Sequence, residues 1–170
     1  RQILTVVPSY ELGRQTLEFA HDLAGARTAA LLPPAKSPAD RAEQLLEQPE
    51  PLLIVTGAQL GALLPALEDE GGAALRALRA TLMAVVLDEP DAILRVPTYS
   101  TMTLRHKRNA WLARQPLSRA LAALCEREKR AEHARIQLVL ASATLSGRLM
   151  KDVHCIIGRE RVGRVGLAHA

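Results

Sequence analysis

Met83-Ala84-Val85-Val86-Leu87-Asp88-Glu89-Pro90-Asp91 is the stretch on which the reading of this chain turns. An uninterrupted apolar run stops abruptly at Asp88, Glu89 and Asp91. A run without polar alternation is the pattern of a parallel strand buried on both faces. Acids at its carboxyl end fall at the edge where open α/β sheets bind ligands. There Asp88 can hold Mg²⁺ through water, and Glu89 can polarise an attacking water. Acids after a buried strand can equally solvate a loop or cap the next helix, so the flanking segments must decide.

Upstream, Ile3 to Val7 is a strand-type run stopped by Pro8. Ser9 is placed to cap a helix over Glu11 to Leu23, ended by Gly25. Thr28 to Leu32 predicts a second strand before Pro33-Pro34, and Asp40 is a candidate cap for a helix through Leu46. Leu52 to Val55 predicts a third strand. Thr56-Gly57 then turns into a helix carrying Leu60, Leu63, Leu64 and Leu67. Glu68 to Gly72 predicts a break, with helix again over Ala73 to Thr81.

Downstream, Pro97 to Asn109 is polar and loop-like, and Leu117 to Arg135 predicts a long helix with a charged end. Ile136 to Ala141 is a fifth strand, left through Ser142-Ala143-Thr144. A short helix is expected over Ser146 to Asp152 and a weak last strand at Cys155 to Ile157, before a Gly- and Arg-rich tail. Strands alternate with helices and no internal repeat is visible. That order calls for an α/β fold, a parallel sheet with helices on both faces and right-handed crossovers.

Composition narrows the class. A chain of 170 residues suffices for one domain with a full core. Hydrophobic residues make up 48% and aromatics only 2%, so the core must be built from Leu, Val, Ile and Ala. The net charge of +4 permits an RNA or acidic partner without demanding one. Cys125 and Cys155 form no CxxC, and no His/Cys cluster has zinc spacing, which fits reduced thiols in an intracellular compartment. No apolar run is long enough for a membrane span. The chain opens at Arg1 directly into a strand, and a missing upstream segment is expected.

Four segments at predicted strand ends carry a family resemblance. Pro8-Ser9-Tyr10-Glu11-Leu12-Gly13-Arg14-Gln15 resembles PTRELAxQ, and Ile54-Val55-Thr56-Gly57-Ala58-Gln59-Leu60 stands at the place of VATPGRL. Val86-Leu87-Asp88-Glu89-Pro90-Asp91 resembles VLDEAD, and Ser142-Ala143-Thr144-Leu145 resembles the SAT motif. In this order they make the chain similar to the first domain of DEAD-box ATP-dependent RNA helicases. The resemblance implies a three-layer RecA-like fold of P-loop NTPase type. It implies that Asp88 and Glu89 bind Mg-ATP and activate water, with Asp88 holding Mg²⁺ through water. It implies that Asp91 couples nucleotide state to RNA through Ser142 and Thr144, and that Ser9, Thr56 and Gly57 face RNA.

Several positions depart from the family. Tyr10 and Gln59 replace arginines, Gly57-Ala58 replaces Pro-Gly, and Pro90 replaces a small residue. Each lost Arg removes a charge-assisted phosphate contact. No GxxxxGK[ST] phosphate loop occurs in the sequence, so ATP and Mg²⁺ are expected only if that loop lies upstream. The stretch between Asp91 and Ser142 is long for the family and predicts an insertion around residues 95–116. There Arg105, Lys107 and Arg108 lie near Trp111. Such a cluster suits RNA, or it is a solvated basic loop.

The expected organisation is therefore a RecA-like domain over residues 1–158 and a tail or linker over 159–170. Two functions stay open: ATP-dependent remodelling of RNA or ribonucleoprotein, or a catalytically inactive helicase-like scaffold. Relaxed RNA motifs on a retained fold suit a factor resident in a ribonucleoprotein particle. The expected partners are ribosomal RNA and ribonucleoprotein proteins, with no membrane; the expected setting is ribosome assembly, in the mitochondrial matrix.

Overall fold

The structure is a computed structural model that describes residues 1–34, 37–94, 105–125, 136–143 and 146–157. Five strands form one sheet, β1 (Gln2–Val7), β2 (Ala29–Leu31), β3 (Leu52–Thr56), β4 (Leu82–Asp88) and β5 (Gln137–Ala141). Their order is β2-β3-β1-β4-β5, and every pairing is parallel. The helices are α1 (Tyr10–Ala24), α2 (Pro38–Glu47), α3 (Gly57–Thr81), α4 (Pro90–Leu94), α5 (Arg105–Arg114), α6 (Pro116–Cys125) and α7 (Gly147–Ile157).

Alternate residues of the strands feed two layers. Leu4 and Val6 of β1, Leu53 and Val55 of β3, and Val85 and Leu87 of β4 join the larger core. That core is completed by leucines of α2, α3, α6 and α7, including Leu45, Leu60, Leu67, Leu121 and Leu149. On the other face Val7 and Ile54 meet Leu12, Leu17 and Ala20 of α1. The aromatic-poor composition thus becomes an aliphatic core, as close side-chain packing allows. Among the described residues α1 is the helix packed on this face, and Val139 of β5 is 36% exposed.

β4 holds an irregularity. The β1–β4 register slips between Gln2 and Ile3, whose partners are Leu82 and Ala84. Met83 is the extra residue, and it is 45% exposed. A bulge of this kind lets the apolar alternation restart in phase.

Ser37, rather than Asp40, caps α2: its hydroxyl accepts from the Asp40 N–H at 3.1 Å, with Pro38 in the first turn. Pro suits that place because its missing N–H has no helical partner anyway. The expected break at Glu68 to Gly72 lies inside α3, where Gly71 and Gly72 take φ of +70° and +72°. Only glycine adopts that conformation without strain. The expected loop over Pro97 to Asn109 ends in helix, since α5 starts at Arg105. Of the helix expected over Leu117 to Arg135, α6 covers Pro116 to Cys125, and residues 126–135 lie outside the described residues. The tail expected over 159–170 lies outside them too.

Cys155-Ile156-Ile157 is not a strand. It completes α7, because Leu149, Val153 and Ile157 repeat at helical spacing and are all buried. That helix is tied to α5 by a two-pronged ion pair. Arg108 Nε donates to Asp152 Oδ1 at 2.6 Å, and Nη2 donates to Oδ2. Asp152 is 5% exposed. A carboxylate so buried depends on its guanidinium partner, since truncating one side leaves a charge desolvated and unpaired. Arg108→Ala is therefore expected to lower unfolding free energy by about 3–5 kcal/mol in denaturant titration. The paired Arg108→Met/Asp152→Leu variant should return to within about 1 kcal/mol of the parent.

Candidate functional site

Parallel pairing brings the carboxyl ends of β3, β1, β4 and β5 side by side. Val7 lies opposite Thr56, and Asp88 opposite Ala141. Ser9, Thr56, Asp88, Glu89, Asp91 and Ser142 therefore follow one sheet edge. Thr144 lies outside the described residues.

The acidic part is built by the turn after β4. The Glu89 N–H donates to the Ala141 carbonyl at 2.8 Å, extending the β4–β5 ladder. Glu89 has φ of +51°. For a residue with a Cβ this left-handed geometry costs about 1 kcal/mol or more. It turns the chain so that the Glu89 carbonyl accepts from Ala92 N at 2.9 Å and Ile93 N at 3.1 Å, starting α4. Pro90 opens that helix and is buried, so its missing donor costs nothing there.

The three carboxylates end up differently placed. Asp88 is half-buried, and Glu89 and Asp91 are exposed. Ser142 Oγ donates to Asp91 Oδ1 at 3.2 Å, linking the ends of β4 and β5. No other described residue holds the side chains of Asp88 or Glu89 by a hydrogen bond or ion pair. Among the described residues no group of three or more His, Cys, Asp or Glu is assembled for a metal ion. Asp88 would hold Mg²⁺ through water, and the ion would add charge to balance the phosphates of a nucleotide. No phosphate loop in residues 1–170 supplies the rest of a nucleotide cradle.

The β3 end is closed. Thr56 Oγ1 accepts from Gln59 N at 3.1 Å, and Gln59 Oε1 accepts from Thr56 N at 2.8 Å. This reciprocal capping box satisfies two of the donors that a helix start otherwise offers a ligand. Gln59 Nε2 also donates to the Leu32 carbonyl at 2.9 Å, clamping the segment after β2. Thr56 and Gln59 are each 9% exposed. Gly57 is buried too, and a Cβ there would lie 2.9 Å from Ile93 Cγ2. Thr56 therefore caps α3, and Gly57 packs closely against Ile93. The signal that finds Gln59 is the Thr56-x-x-Gln59 spacing of a capping box.

The β1 end is more open. Ser9 is exposed, and its hydroxyl accepts from Leu12 N at 3.2 Å as the cap of α1. Tyr10 is 39% exposed. Arg105, Lys107 and Arg108 belong to α5, which packs against α6 and α7. Of these, Arg108 is committed to Asp152.

Sheet order, two helical layers and an acidic turn at the carboxyl edge define a RecA-like α/β domain. Among solved structures, the chain is similar to that of Mss116p lacking its NTE and C-tail, bound to ssRNA and AMP-PNP. The match has a TM-score of 0.52 at 16% identity and covers 92% of this chain and 28% of that one. No family model and no curated protein matches the sequence. No helix among the described residues is long and apolar enough to cross a membrane.

The capping box sets a clear expectation. Gln59→Arg, which places an arginine where the helicase motif has one, should destabilise the domain by at least about 2 kcal/mol. It breaks the cap and forces a charge into a buried slot. Thermal unfolding with and without single-stranded RNA would measure this. The melting temperature should fall, and added RNA should not restore it.

Proposed function

We propose that this chain is the first RecA-like domain of a DEAD-box helicase-like protein that remodels RNA or ribonucleoprotein. The observation that carries the reading is the carboxyl-edge arrangement. Asp88 and Glu89 are left for ligand while Asp91 is linked to Ser142 on the next strand. The fold shared with an RNA- and AMP-PNP-bound protein supports it. In this reading Asp88 holds Mg²⁺ through water, and Glu89 orients and polarises the attacking water. Mg²⁺ supplies neutralisation of phosphate charge as it develops. The Asp91–Ser142 link passes a change at the β4 end to the β5 end. Turnover in this reading requires a phosphate loop and a second RecA domain, neither of which residues 1–170 contain. The proposed setting is an assembling ribosome in the mitochondrial matrix.

A second reading, an inactive scaffold in a ribonucleoprotein particle, is favoured by one observation. The Thr56–Gln59 cap occupies two donors at the β3 end that a phosphate would otherwise use. The two readings separate by kinetics.

Residues 1–170 alone should show no calorimetric binding of Mg-ATP, since no phosphate loop is among them. Micromolar affinity would overturn that. In the protein carrying a phosphate loop as well, Glu89→Gln should lower RNA-stimulated ATP turnover at least about a hundred-fold and spare ATP binding. A parent protein with no turnover would establish the scaffold reading.

A further inference from the structure

Gly57 begins α3 directly after its cap Thr56, and its φ is not among the positive values found at Gly25, Gly71 and Gly72. Space, rather than backbone freedom, therefore asks for glycine here. A Cβ at this position would lie 2.9 Å from Ile93 Cγ2 of α4 and 3.1 Å from Leu117 Cδ2 of α6. One turn on, a Cβ at Gly61 would lie 2.8 Å from the Leu117 nitrogen. Two glycines four positions apart thus let α4 and the start of α6 settle against the same side of α3.

The two neighbours of Gly57 differ in how they can yield. Leu117 Cδ2 ends a side chain with two rotatable bonds and can swing aside. Ile93 Cγ2 is bonded directly to the Cβ of a β-branched residue, which is stiff at χ1. It cannot move alone, so pressure on it passes to a backbone. α3 is 25 residues long and fixed at its start by the Thr56–Gln59 capping box, whereas α4 has 5 residues. α4 is therefore the element that gives. Its Ile93 N–H donates to the Glu89 carbonyl at 3.1 Å, while the Glu89 N–H donates to the Ala141 carbonyl. Glu89 keeps its φ of +51° because these bonds hold it from both sides. Displacing Ile93 releases one of them.

We propose that Gly57 is a positioning residue for Glu89. Its missing side chain sets the depth at which Ile93 seats α4, and that depth fixes the direction in which Glu89 leaves the acidic turn. The role of Glu89 toward water rests on the function proposed above; the packing that aims it rests on the contacts of Gly57 and Ile93. Position 57 thereby acts on the chemical step through α4, from inside the segment that follows β3.

The test compares the parent, Gly57→Ala and Gly57→Ala/Ile93→Leu. Leucine keeps the volume of isoleucine but carries no Cγ2, so the second substitution removes the clash and retains the packing. In the 170-residue chain, amide hydrogen exchange is resolved at Glu89, Ala92 and Ile93, with Ile54 and Val55 of β3 reporting global stability. Gly57→Ala should raise exchange at the turn at least about ten-fold relative to β3, and the double variant should return to within about two-fold of the parent. In the protein carrying a phosphate loop as well, Gly57→Ala should lower kcat for ATP at least about ten-fold with KM within about two-fold, and Ile93→Leu should restore kcat. If Gly57→Ala fails to fold, recovery of fold and turnover in the double variant supports the contact, and failure to recover overturns it. Exchange at the turn that tracks β3 in every variant would overturn the positioning and leave the proposed function standing. So would a loss of turnover that Ile93→Leu does not relieve, which would assign Gly57 to ligand contact. A parent without turnover would overturn the function and this role together.

Discussion

Parallel pairing of β1 to β3 on one side and β4 on the other is the constraint from which the rest follows. Once these ladders form, the carboxyl ends of four neighbouring strands must share one edge. Residues far apart in sequence, such as Asp91 and Ser142, then come within hydrogen-bond reach. Parallel strands also need crossovers, and those crossovers supply the helices that bury both faces. Most of them lie over the larger core, with α1 on the opposite face. The site is therefore a consequence of chain topology before it is a matter of side-chain choice.

The acidic turn shows how local strain is tolerated. Glu89 takes a conformation that glycine would adopt freely, and it is exposed, so burial gives no reason for a charged residue there. Its backbone is held from both sides, by the ladder bond to Ala141 and by the first bonds of α4. A strained residue fixed in this way presents its side chain in a restricted direction. Such geometry suits a group that must aim at a reacting water.

Legibility in the sequence divided along physical lines. Long-range pattern was readable: the five strands, their alternation with helices and the parallel sheet all followed from apolar runs and breakers. Short apolar runs were not. Cys155-Ile156-Ile157 satisfies a strand pattern and a helix end alike, and only packing of Leu149, Val153 and Ile157 decides it. Charge was the least legible property. Arg108 belongs by sequence to a basic run, yet its partner Asp152 is distant in the chain and meets it only when α5 and α7 pack. Gln59 was legible in principle. Its spacing from Thr56 is a local capping signal, while its departure from an arginine-bearing motif says only which charge is absent.

Gln59 and Arg108 together show how a polar side chain can be turned inward to fix a helix without a change of fold. At the β3 end, replacing a cation by an amide lets the side chain fold inward, where it caps α3 and clamps the Leu32 carbonyl. An arginine could not make the same retreat, because it cannot shed its charge and has no acceptor for the Thr56 N–H. The exchange strengthens the join between β2 and α3 and withdraws that corner from ligand. On α5 the opposite occurs: a guanidinium is drawn inward because Asp152 meets it with two oxygens, and its charge is consumed in fixing α7. In both cases the buried polar group specifies a helix position, and the contacts left to a ligand are those that no buried partner claims. By that criterion the groups left unclaimed at the sheet edge, among the described residues, are the Asp88 and Glu89 carboxylates.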